Sequence, residues 1–279
     1  MAYFVYSFII FILGLIVGSF LNVVIYRLEN GEKIINDRSK CLHCKRVLAW
    51  YDLIPVLSFI FLKGKCRYCE KKISWQYPIV EIGTGILFVM ILNYVLCITN
   101  YEYLISNFQF FNTIHYSLFT IQFLFLLFWF YIISSLIIIF VYDLKHYIIP
   151  DKVIYPAIII AIGFNLSNNL VTLNHLFAAF IAGLFFLSIV IITKGKGMGG
   201  GDIKLVFLMG LILGWPVIIF SVFLASVLGS VVGIYLILIG KKKMKSMVPF
   251  GPFLVAGTFI GMFFGEEIIE WYLNLVVLF

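Results

Sequence analysis

Long unbroken apolar runs dominate the chain, and neither strict alternation nor a narrow amphipathic stripe accounts for them. They cover roughly 3–26, 78–97, 120–142, 152–168, 172–192, 203–214, 216–239 and 248–264. A helix needs about 20 such residues to cross the hydrocarbon core of a bilayer, whereas the strands of a membrane barrel alternate apolar and polar residues. The pattern therefore predicts an all-α polytopic membrane protein with about eight transmembrane helices. The sixth and seventh are the least separated: 203–214 is short, and Gly214-Trp215-Pro216 is the turn signal that divides them.

One stretch breaks the pattern. Residues 27–77 are polar and basic, so the chain divides into a first helix (1–26), a small extramembrane domain (27–77) and a membrane domain (78–279). No basic residue precedes the first apolar run and no small-residue cleavage pattern follows it, so the run reads as a retained helix rather than a removable signal. Composition agrees, with 63% hydrophobic residues, 12% charged and mean hydropathy +1.10 over 279 residues. This excludes a soluble globule, a disordered chain and a secreted disulfide scaffold.

A net charge of +7 raises the question of nucleic acid, and the placement of the charge answers it. All 20 Lys and Arg fall in four clusters: between Arg27 and Lys72, at Lys145 and Lys152, at Lys194, Lys196 and Lys204, and at 241–245. Short loops rich in Lys and Arg stay on the cytoplasmic side. Eight spans put every cluster there and leave the N-terminus, 98–119, 165–171 and the acidic tail with Glu266, Glu267 and Glu270 outside. Anionic lipid headgroups then account for much of the basic surface, and no nucleic-acid partner is expected.

The polar domain holds Cys41-x2-Cys44 and, 21 residues on, Cys66-x2-Cys69. Two such pairs supply four thiolates for a closed, tetrahedral and hence structural Zn²⁺ site. About fifty residues are too few to be held by a core alone. Two disulfides are the competing pairing, at odds with a reducing cytoplasm. His43, inside the first pair, is a minor rival ligand, and Cys97 in the second span reads as an ordinary buried cysteine.

Acids inside membrane helices are rare and expensive. Of the five aspartates, Asp37 and Asp52 belong to the cysteine domain, and Asp151 after Pro150 reads as a residue that starts a helix, as does Glu81 after Pro78. Asp143 ends the third span and Asp202 follows Gly199-Gly200-Gly201, 59 residues later. The hairpin of spans four and five returns both to one depth, where two carboxyls sharing a proton can activate a water. Their opposite helix ends imply an asymmetry, with Asp143 at a C-terminus holding the proton and Asp202 at an N-terminus acting as base. The glycines before Asp202 allow close backbone approach.

Together these residues resemble a known family. Gly18-Ser19-Phe20-Leu21-Asn22-Val23-Val24-Ile25-Tyr26-Arg27-Leu28, the double cysteine pair around Tyr51-Asp52-Leu53-Ile54-Pro55-Val56-Leu57-Ser58, Ile73-Ser74-Trp75-Gln76-Tyr77-Pro78-Ile79-Val80-Glu81, Asp143 and Gly-Gly-Gly-Asp202-Ile203-Lys204 look like type IV prepilin peptidases of the GxGD aspartyl protease type. The resemblance runs in order over nearly the whole chain. It implies a bifunctional enzyme of the bacterial cytoplasmic membrane, with the N-terminus outside and the zinc domain cytoplasmic. Such an enzyme cuts the basic leader of type IV prepilins or pseudopilins after glycine, then N-methylates the new terminus with S-adenosylmethionine. The family's catalytic aspartates map to Asp143 and Asp202, its methyltransferase function to 27–77, and a methyl-donor position to Gly64. Glu29-Asn30 stand where the family usually has proline. The leader is itself basic, which leaves Glu29, Glu32, Asp37, Asp52, Glu70 and Glu81 as its available partners.

Presenilin-like proteases share a Tyr-Asp and a Gly-x-Gly-Asp pair but carry Pro-Ala-Leu near the C-terminus, where this chain has Pro249-Phe250-Gly251-Pro252. A transporter with a zinc-bound domain needs acids near the bilayer midplane. A serine protease fails for want of a partner to Ser19, since His146 and His175 fall on opposite faces.

Overall fold

The computed structural model describes residues 2–33, 38–106, 114–167, 172–195, 198–240 and 248–277. The side chain of Cys97, Asp37, Lys196 and the lysines of 241–245 lie outside the described residues. The elements are α1 (Ala2–Asn30), a 3₁₀ turn (Trp50–Leu53), α2 (Leu57–Phe61), α3 (Gln76–Ser106), α4 (Ile114–His146), α5 (Asp151–Ser167), α6 (Thr172–Ile192), α7 (Gly200–Leu213), α8 (Val217–Leu238) and α9 (Gly251–Val277). Among the described residues the only β-structure is two isolated bridges, Lys40 with Val47 and Lys65 with Lys72. Prolines mark the helix starts: Pro78 and Pro252 stand in first turns, and Pro150 and Pro216 directly precede α5 and α8. There the missing N–H costs nothing, because the first donors of a helix have no partner within it.

Among the described residues all eight apolar runs form helices, and six of these are long and apolar enough to cross a membrane. The other two, α5 and α7, have 17 and 14 residues, so they rise only about 26 and 21 Å against a hydrocarbon core of about 30 Å. Several helices outrun the sequence expectation. α1 continues to Asn30, α3 and α4 extend into 98–119, and the acidic tail is the helical end of α9.

The chain forms two compact units, Met1–Ile138 and Ile139–Phe279, divided within α4. In the first, α1 and α3 touch through backbone. A Cβ on Gly14 would stand 2.6 Å from the Gly85 Cα, and one on Gly18 2.7 Å from the Glu81 Cα. Small residues four apart bring membrane helices this close. Phe88 of α3 stacks on Phe130 of α4 at 4.0 Å.

In the second unit α7 is the central element, with Leu205, Val206, Leu208, Met209, Gly210 and Leu211 buried. Gly210 lies against the backbone of Ala178 and Ala179 in α6, and Phe207 packs edge-on to Phe180. A helix that ends inside a bundle must have its last carbonyls satisfied by protein. Asn165 donates from Nδ2 to the Leu211 carbonyl at 2.9 Å, His175 Nδ1 donates to the same oxygen at 3.0 Å, and Gly214 turns the chain at φ +67°. α8 and α9 meet along Gly257, Gly261 and Gly265, which face Ser221, Val217 and Ala225.

Candidate active site and metal centre

The metal centre is built from two copies of one turn. In Lys40-Cys41-Leu42-His43-Cys44-Lys45-Arg46-Val47, the Cys41 N–H donates to the Arg46 carbonyl and the Lys45 N–H to the Cys41 carbonyl, both at 2.9 Å. In Lys65-Cys66-Arg67-Tyr68-Cys69-Glu70-Lys71-Lys72, Cys66 and Lys71, then Glu70 and Cys66, repeat those bonds at the same lengths. Lys45 and Glu70 occupy matching left-handed positions, φ +54° and +56°, and each copy closes with a bridge. The sequence shows the paired cysteines but not this duplication, because Lys45 and Glu70 are chemically unrelated.

The four cysteines are free thiols, and their sulfurs all lie within 4.8 Å of one another. Cys41 and Cys69 are 3.9 Å apart, far from the disulfide length of about 2.05 Å. Tetrahedral Zn–S bonds of about 2.3 Å place sulfurs about 3.8 Å apart, so the donor set fits zinc. The cluster does not include His43. At Cys69 the Lys71 backbone N–H favours the thiolate, but burial and the crowding of Cys66, Cys44 and Cys41 outweigh it and push this thiol up to about 11. Without a cation Cys69 holds its proton, and a cation must displace it.

The segment between the turns is tied to the second one. Asp52 accepts from Arg67 Nε at 2.8 Å and from the Tyr68 hydroxyl at 3.3 Å, with its side chain only 3% exposed. Arg67 lies over the Tyr51 ring and Arg46 over that of Tyr68. Glu81, in the second turn of α3 rather than at its start, accepts the Val56 N–H at 2.7 Å. Asp52 and Glu81 are therefore structural acids here, and two of the six partners expected for a basic leader are already engaged. Gly64 turns at φ +68° with Phe59 3.1 Å from where a Cβ would sit. It borders a cleft of about 520 Å³ whose walls include Phe59, Lys65, Lys72 and Trp75.

The carboxylate site lies in the second unit. Asp143 and Asp202 are 4% and 9% exposed, and the charge of Asp143 acts on Asp202. Asp202 stands in the first turn of α7 and accepts the Gly199 N–H at 3.2 Å, so its carboxylate also closes the start of that helix. The close approach expected of the glycines is made by Gly201, whose Cβ would meet Ile149 at 3.1 Å; Gly200 faces open space. Asp151 opens α5, as expected, and pairs with Lys204 at 2.6 Å, whose ammonium lies over the Tyr155 ring.

The structure revises the argument for an asymmetric dyad. Asp143 ends α4, yet its carboxylate lies against Gly251 at the N-terminus of α9, where a Cβ would stand 2.5 Å from Oδ2. Both carboxylates therefore face the positive end of a helix, and chain position no longer distinguishes them. Reading along α4 could not reveal this, since Gly251 is more than a hundred residues away.

A family profile described as the Bacterial Peptidase A24 N-terminal domain matches residues 12–95, and one described as the Type IV leader peptidase family matches 130–234. A "Prepilin leader peptidase/N-methyltransferase" of Bacillus subtilis (strain 168) is 31% identical over 273 residues, covering 96% of this chain and 98% of the relative. The chain belongs to the type IV prepilin peptidase family. Proteins of the same name from Aeromonas hydrophila and Legionella pneumophila are 30% and 31% identical over 298 and 289 residues. They cover 96% and 94% of the chain, and the matches span 94% and 92% of the relatives. No solved structure matches it. The prepilin peptidases are enzymes, and this member is a multi-pass membrane protein in which, among the described residues, six helices meet the length and apolarity of a span.

Proposed function

We propose that this member cuts the short basic leader of type IV prepilins or pseudopilins after a glycine, at the cytoplasmic face, and N-methylates the new terminus. The observation that carries the peptidase half is the joint burial of Asp143 and Asp202, each against a glycine at a helix start. Asp52 and Asp151, the other described aspartates, are engaged in ion pairs. One carboxylate takes a proton from water as its oxygen attacks the scissile carbonyl, and the other donates a proton to the carbonyl oxygen. When the tetrahedral species collapses, the C–N bond breaks and a proton passes to the leaving amine. Both acids stand at helix ends, which suits a cut at the membrane edge and argues against a transporter with acids at the midplane. The clustering of Lys and Arg supports the cytoplasmic placement of the zinc domain and an outside N-terminus in a bacterial cytoplasmic membrane.

The methyltransferase half belongs on this reading to 27–77. Zn²⁺ on Cys41, Cys44, Cys66 and Cys69 holds the two turns together. S-adenosylmethionine supplies an activated methyl group when bound. In the cleft beside Gly64, Phe59 and Trp75 offer aromatic faces to its flat, cationic parts, and Lys65 and Lys72 offer partners for its carboxylate.

The test is cleavage of a synthetic single-span prepilin by detergent-solubilised enzyme, with mass spectrometry reading both the cut and the added methyl. Asp143→Asn and Asp202→Asn are each expected to lose about 10²–10⁴-fold in cleavage while keeping fold and metal. Wild-type cleavage by either variant would remove that residue from the mechanism.

A further inference from the structure

We propose that Gly251 is the positioning residue for Asp143: its missing side chain makes the space the carboxylate occupies, and its backbone N–H holds the carboxylate there. A Cβ built on Gly251 would stand 2.5 Å from Asp143 Oδ2, 3.1 Å from Cγ and 3.5 Å from Cβ. All three nearest atoms belong to Asp143, so nothing else crowds the position. Nor does conformation demand glycine. Gly251 is absent from the positive-φ residues, in contrast to Gly64 and Gly214, and at an ordinary helical position glycine is less favourable than alanine. What requires glycine here is the carboxylate.

The donor follows from the start of α9. The Phe253 and Leu254 N–H groups both donate to the Phe250 carbonyl, at 3.0 and 3.1 Å, and Pro252 has no N–H. The Gly251 N–H is thus a first-turn donor with no partner inside its own helix, and the Asp143 carboxylate lies against this residue. Asp202 accepts the Gly199 N–H at the start of its own helix, at 3.2 Å. An alanine at 251 would push on the free end of a side chain rather than on backbone. The chain can therefore still fold, and the displacement falls on the carboxylate.

This rests on Asp143 acting in catalysis, and the experiment separates the two claims. The full-length enzyme in detergent is assayed on a synthetic prepilin as Gly251→Ala, Asp143→Asn, Asp143→Ala and Gly251→Ala/Asp143→Ala, with thermal unfolding of each. The expected result is a kcat about 10²-fold lower in Gly251→Ala, as for a catalytic group misplaced by about 1 Å, at unchanged KM. Methylation of an already cleaved pilin is expected to stay at wild-type rate. The loss of Tm caused by Gly251→Ala should vanish in the Asp143→Ala background, where no carboxylate is left to displace. Wild-type kcat in Gly251→Ala, or an equal loss of Tm in both backgrounds, overturns the proposal. If Gly251→Ala alone fails to fold, a folded double variant supports the proposal and an unfolded one overturns it. Cleavage retained by Asp143→Asn removes instead the dyad reading, whatever the Tm comparison gives.

Discussion

The cysteine site and the aspartate site place chemistry in opposite ways. All four thiols come from residues 41–69, on two copies of a tight turn whose backbone bonds are complete within eight residues each. The aspartate site gathers Asp143, Asp202 and Gly251 from α4, α7 and α9, and no short segment contains it. The first is a local design whose four thiols suit a metal ion. The second depends on helices approaching to backbone distance, as Gly210 does on Ala178 and Ala179. Local chemistry is fixed by turns, and distributed chemistry by the residues that let helices meet.

The largest effect that would sharpen this contrast is loss of the metal. Cys69→Ala or chelation is expected to remove about 10 kcal/mol of metal-linked folding from the two turns, the scale seen for small zinc domains. The readout is rapid amide exchange at Lys45 and Glu70, with exchange in α7 unchanged. Zinc affinity should also weaken as pH falls from about 8 to 6, because binding must displace protons from thiols such as Cys69, at about 11 without metal. A competition titration that found no pH dependence would contradict thiolate ligation.

A smaller effect tests the distributed site. Gly210→Val drives methyl groups into the Ala178 and Ala179 backbone and is expected to cost at least about 1–3 kcal/mol in unfolding, without release of zinc. Metal loss from this variant would mean that the two sites are not independent in stability. Smallest is Lys204→Met, which breaks a partly exposed ion pair with Asp151 and should cost less than about 1 kcal/mol. A larger loss would show that this pair, and not the glycine contacts, positions the start of α7.

How much of this the sequence disclosed follows the same division. The cysteine pairs announce their ligands through spacing alone, and the apolar runs locate every long helix, because both signals are contiguous in the chain. The runs 152–168 and 203–214 already showed that α5 and α7 are short, but not how α7 ends inside the bundle. The Leu211 carbonyl near the end of α7 is satisfied by Asn165 of α5 and His175 of α6, and only packing shows that. Asp143 and Asp202 stood out as acids in an apolar chain. Asp52 and Glu81 had the same appearance as free acids, and only their contacts with Arg67 and Val56 place them in the scaffold. Pro249-Phe250-Gly251-Pro252 carried no legible signal beyond its difference from Pro-Ala-Leu, since its importance lies in what stands opposite it.

The central claim is that cleavage belongs to the aspartates and methylation to the cysteine domain. The most direct test assays Asp202→Asn and Cys69→Ser side by side in detergent, on an intact prepilin and on an already cleaved pilin with S-adenosylmethionine. Asp202→Asn is predicted to methylate the cleaved pilin but not cut the intact one, and Cys69→Ser to cut but not methylate. Loss of both activities in both folded variants would contradict two separate sites.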